Sequence, residues 1–151
     1  METVFKEFGI KFDLPENTLY YNKNDVLNML GFSKKQLENC IMVVRDKFLN
    51  AFVIVNYLGE TETDDDYKKL VKDLITKNKE ADLELYDRKH LSSEDKRVLD
   101  IQIYHGYNSY TIAIFAKVKN RVFFSVCSCG EEVLSKAEEY STKIMQNIFD
   151  L

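Results

Sequence analysis

The chain has no tryptophan, one proline, five glycines and three cysteines among 151 residues. Each shortage excludes something. An odd number of cysteines does not make the disulfide framework that staples small secreted domains. No glycine stands within three residues of another, so no loop has the clustered glycines that cradle a phosphate. Long apolar runs are missing too: Ala51–Val55 and Ile112–Ala116 are about a quarter of the ~20 residues that span a bilayer. There is no basic block, since Lys+Arg number 21 against Asp+Glu 25, for a formal net charge of −4. Such a chain is not expected to grip nucleic acid. Met1 leads into Glu2-Thr3-Val4-Phe5-Lys6-Glu7 rather than into a basic segment and an apolar run. The expectation is therefore a reduced, cytoplasmic protein, with an exported form whose leader has been removed as the alternative.

What is present is an ordinary globular balance, 45% hydrophobic and 30% charged, long enough for one domain with a sizeable core. Phe5–Leu14 alternates, with Phe8, Ile10, Phe12 and Leu14 on one side and Lys11 and Asp13 on the other. That pattern predicts a half-buried strand, or a short hairpin bending at Gly9, which stops at Pro15. Asn24-Asp25 can cap a short helix over Val26–Leu30 closed by Gly31. Ser33 with Gln36 reads as the capping box of a second short helix, stapled by Phe32 and Leu37. Phe48–Leu58 predicts a strand, and the acidic segment Thr61–Asp66 caps a long helix over Tyr67–Asn78. The apolar stripe of that helix is Tyr67, Leu70, Val71, Leu74 and Ile75.

The second half reads as strands. Val98–Tyr104, Tyr110–Val118 and Arg121–Cys129 are joined by turns at 106–109 and at Lys119-Asn120, too short for a crossover, so they form an antiparallel meander. A last helix opens at Gly130-Glu131-Glu132 and carries the stripe Val133, Leu134, Ala137, Tyr140, Ile144, Met145 and Ile148. The fold class expected is α+β: a central antiparallel sheet of about five or six strands sandwiched between helices.

Three stretches carry a resemblance. They are Phe8-Gly9-Ile10-Lys11-Phe12-Asp13-Leu14-Pro15 at the start, the Tyr110-Thr111-Ile112 strand, and the closing Ile144-Met145-Gln146-Asn147-Ile148-Phe149. Together they resemble the PsbP-like family, which takes its name from the extrinsic photosystem subunit and includes a small Ran-binding protein and bacterial lipoproteins. The resemblance spans nearly the whole chain and implies one α/β/α sandwich domain over residues 1–151. It implies a binding or scaffold role with a protein partner, and it supplies no catalytic residue. Some members are chaperones for secreted toxins, so a chaperone-like or immunity-like partner of a secreted protein is the second expectation.

The chemistry-bearing residues are few. Cys127-Ser128-Cys129 lacks the two-to-four-residue spacing of structural zinc sites, and residues two apart on a strand share a face with Phe123 and Ser125. Neither a metal nor a cofactor is expected. Cys40 reads as a buried thiol beside Leu37 and Ile41. No nucleophile elbow or cysteine-protease signature exists, so no catalytic residue is assigned, and a small hydrolase using His105 as base is the third reading. The candidate partner-binding residues are Tyr104, His105, Tyr107, Asn108 and Tyr110, around the turn that also holds Gly106 and Ser109. Tyr with Asn and Ser gives rigid contact area plus hydrogen bonding. The competing reading has these tyrosines packing over the turn.

Overall fold

The computed structural model describes residues 1–29, 33–35, 37–94 and 96–151. β1 (Glu2–Phe5) passes through one 3₁₀ turn (Lys6–Phe8) and returns as β2 (Ile10–Asp13). Gly9 makes this reversal at φ 63°, a left-handed conformation that favours glycine, with the Arg121 guanidinium close beside it. The hairpin reading at Gly9 is the one realised. β3 (Thr18–Tyr21), α1 (Lys23–Met29), β4 (Cys40–Asp46) and β5 (Phe52–Glu60) follow. Next come α2 (Asp64–Glu80), β6 (Glu84–Ser93), β7 (Lys96–Gly106), β8 (Ser109–Val118) and β9 (Arg121–Cys129). A 3₁₀ turn (Glu131–Val133) leads into α3 (Leu134–Gln146), and β10 (Ile148–Asp150) ends the chain.

The class is α+β with antiparallel sheets, and the expected strand count is corrected. One sheet has seven strands in the order β3-β4-β5-β9-β8-β7-β6, and a second has three in the order β1-β2-β10. The meander β7-β8-β9 lies where the alternation put it. Strands β3, β4, β6 and β10 are additions. β10 was hidden because Ile148 continues the helical spacing from Ile144, yet the helix ends at Gln146 and Ile148 pairs with Phe12. β4 replaces part of the expected second helix: Cys40 opens a strand, and Leu37 N–H, Glu38 N–H and Cys40 N–H each reach back three residues in turns. The ends of that reading at Leu30, Gly31, Phe32 and Gln36 lie outside the described residues. The first helix is capped earlier than expected, by Asn22, whose Oδ1 accepts from Asp25 N–H at 2.8 Å.

α2 begins where its residues require. Thr63 Oγ1 accepts from Asp66 N–H at 3.1 Å, and Asp64, Asp65 and Asp66 sit at the positive end of the helix dipole. The helix runs past Asn78 and closes without glycine. Asp82 takes φ 60° while Leu83 N–H donates to Asn78 O and Asp82 N–H to Lys79 O, a Schellman closure.

Side-chain rows cross the large sheet. On one face Ile101, Ile114, Ser125, Val55 and Met42 align across β7, β8, β9, β5 and β4, next to Ile103, Ile112, Cys127, Val53 and Val44. α3 lays Ala137, Tyr140, Ile144 and Met145 on these rows, and the small sheet adds Ile10, Phe12 and Ile148, forming the main core. On the other face α2 covers Phe115, Val122 and Phe124 with Tyr67, Leu70, Val71 and Leu74, and α1 brings Val26 to Cys40 and Val43.

Candidate functional site

The turn between β7 and β8 is a two-residue hairpin with Gly106 paired to Ser109. Tyr107 and Asn108 both take positive φ, 57° and 63°, as a type I′ turn requires. Asn suits that conformation, while Tyr is held in it by its own hydroxyl, which donates to Ala81 O at 3.1 Å. Gly106 lies against the loop after α2, where a Cβ would meet Leu83 at 2.5 Å. The hairpin tip is thus seated on the α2–β6 connection.

Strand geometry divides the five expected residues. Tyr104 is 1% exposed and points under α2, so it offers no area to a partner. Its hydroxyl donates to Gln102 Oε1, and Gln102 Nε2 donates to Val71 O and to Asp100 Oδ1, both at 3.2 Å. Arg88 Nη2 completes this network on Asp100 Oδ2 at 3.0 Å. His105, one residue on, points to the opposite face beside Tyr110, with ring centroids 4.6 Å apart. Tyr107 is 79% exposed at the tip, and Asn108 beside it is exposed too.

The structure adds a residue that the sequence did not single out. Tyr86 on β6 is 60% exposed and packs edge-on against Tyr110 at 5.1 Å. Tyr86, Tyr110 and His105 therefore stack side by side at one corner of the sheet. Partial burial, then the negative charge of Glu131, holds the Tyr110 phenol above its ordinary pKa. The polar run of Asp87, Arg88, Lys89 and His90 obscures β6 as a strand, so the signal left was the spacing of Leu85 and Tyr86 from Leu91.

The groups that could do other chemistry are placed apart. Among the described residues no three His, Cys, Asp or Glu side chains converge as metal ligands. The three thiols are unbridged and buried. Burial, then the neighbouring Cys129, pushes the Cys127 thiol up to about 12, so it stays protonated at neutral pH and is a poor nucleophile. Among the described residues His105 makes no hydrogen bond to a serine, cysteine or carboxylate. No described helix is long and apolar enough to cross a membrane.

Against known structures the whole chain aligns with the solution structure of cyanobacterial PsbP (CyanoP) from Synechocystis sp. PCC 6803. The TM-score is 0.63 and the identity 12%, over 100% of this chain and 92% of that one. The fold is PsbP-like. No family model matches the chain, and no curated protein matches it. At this identity the PsbP likeness speaks for the path of the chain, and function has to be argued from the side chains displayed on it.

Proposed function

We propose that this PsbP-like chain is a non-catalytic protein-binding module whose partner docks on the aromatic corner of β6, β7 and β8. The observation that carries the reading is the Tyr86–Tyr110–His105 stack, with Tyr86 60% exposed and Tyr107 79% exposed at the adjoining tip. Rings already packed on one another, and a Tyr107 hydroxyl already bonded to Ala81 O, lose little freedom when a partner covers them. Asn108 and His105 supply polar groups at the rim. Tyr104 is left out of the surface and supports it from beneath.

The test is affinity capture from the native cell with the wild-type chain and with a Tyr86→Ala/Tyr107→Asn double variant. Asn suits the positive φ at position 107, so the turn survives while the ring is lost. A partner held by the wild type should bind the variant at least about tenfold more weakly, as loss of a central aromatic anchor implies. Equal capture by both chains, or capture of nothing by either, overturns the reading.

A further inference from the structure

The α2 side of the large sheet is left open at its β6–β7 end. Between the first turns of α2 and the strands beneath lies a cleft of about 500 Å³, within the size range of small-molecule sites. Its inner surface is apolar: the Tyr67 ring, Val71 and Val98. Val98 is a β-branched strand residue facing the helix side, yet it is 44% exposed because α2 does not reach over it. Burial, then the charge of Asp100, pushes the Tyr67 phenol up to about 12, so the ring enters the cleft uncharged.

Around this apolar surface stand four cations and two carboxylates. Lys117 Nζ lies 2.7 Å from Asp64 and over the Tyr67 ring at 5.8 Å, and Arg88 is held by Asp100 at 3.0 Å. These two pairs fix two of the cations. Lys68 and Lys72 stand one turn apart on the α2 wall. Lys68 feels Asp64 one turn earlier without an ion pair, and Lys72 has no acidic partner among the described residues. The cleft thus has an excess of two positive charges, with His90 beside them, in a chain of formal net charge −4.

We infer that this cleft binds a small organic anion with an apolar body: the body against Tyr67, Val71 and Val98, the acid group toward Lys72 and Lys68. The charge excess selects an anion over a cation or a neutral molecule. The apolar interior selects an organic acid over a bare inorganic ion. The volume of the cleft suits one such molecule and is too small for a folded partner. This site lies on the opposite face of the sheet from the Tyr86–Tyr110–His105 stack and does not depend on it.

Calorimetric titration of the full chain with 2-naphthoate tests the inference, with 2-naphthylmethanol and inorganic phosphate as comparison ligands. The naphthoate should saturate one site, and each comparison ligand should bind at least about tenfold more weakly, since it lacks one of the two recognised features. Lys72 is exposed, so Lys72→Glu should keep the circular dichroism spectrum and weaken naphthoate at least about fivefold through reversed charge. Val98→Glu, which puts a carboxylate on the inner surface, should abolish binding. The inference fails if naphthoate and naphthylmethanol bind alike or if both cleft variants bind like the wild type. It fails equally if the wild type shows no saturation by about 5 mM, weaker than the ~4 kcal/mol of a millimolar site.

Discussion

Under α3 and the small sheet, strands β4, β5, β7, β8 and β9 present aligned rows of Ile, Val, Leu, Met and Cys, closed by Phe12, Ile144 and Ile148. Under α2 and α1 the same strands present Asp100, Gln102 and Asn56 among their aromatics, and one end stands open beside Val98. The difference follows from what covers each face. A helix flanked by a three-stranded sheet seals its side, and the inward positions there are apolar apart from the small hydroxyls of Ser125 and Ser141. A single long helix cannot roof seven twisted strands, so larger polar groups persist beneath it, bonded to one another and to backbone carbonyls, and a cleft remains where the roof stops.

Breaking the sealed face should cost most. Phe123 is fully buried between Ala116 of β8, Tyr57 and Phe12, and Phe123→Ala should lower stability by about 3–5 kcal/mol in urea titration. A loss as small as that of an exposed residue would show that the α3 side is not the main core. On the helix-roofed face, Gln102→Ala removes the buried amide that accepts from the Tyr104 hydroxyl and donates to Val71 O and Asp100 Oδ1. The expected loss is about 1–3 kcal/mol, read from the same titration. If the variant is as stable as the wild type, the buried network contributes nothing.

A smaller effect probes both faces at once. Tyr67 of α2 and Tyr140 of α3 each have a phenol that burial pushes up from 10.0 to about 12. The unfolded chain releases these protons near pH 10 and the folded chain only near pH 12. Their contribution is therefore complete below pH 10 and lost as pH rises toward 12. Tyr140→Phe should make that alkaline loss shallower. At neutral pH it should cost roughly 0.5–1.5 kcal/mol for its 2.9 Å bond to Thr18 Oγ1. An alkaline unfolding curve identical to wild type would rule this assignment out. The smallest effect belongs to the tie between β6 and α3, where Lys89 Nζ meets Glu138 at 2.8 Å in partial exposure. Glu138→Gln should change stability by about 0–1 kcal/mol, with the difference disappearing at high salt.

The meander and the two longer helices were legible because their residues repeat at the period of the element they form. Val98–Tyr104 also shows the limit of that reading. Its alternation of Leu99, Ile101 and Ile103 with Asp100 and Gln102 describes a strand with one wet side, yet the polar side is buried under α2. The same cause split the candidate site. Tyr104 and His105 are neighbours in sequence, and a pleated strand sends adjacent side chains to opposite faces. One therefore became core and the other surface. Tyr86, eighteen residues earlier than Tyr104, joined His105 and Tyr110 only because β6 pairs with β7.

By itself the sequence determined the periodic elements: the meander, the alternation around Gly9, the stripes of α2 and α3, and the α+β class they add up to. These rest on local spacing, which acts over a few residues. The tertiary structure alone decided the strands without strong patterning, β3, β4, β6 and β10, because each is held by pairing with a distant partner. It also decided which polar residues lie buried, which tyrosines meet at the corner, and that α2 stops short of Val98. Those outcomes depend on how much sheet one helix can cover, a quantity set by the whole fold and by no local stretch of residues.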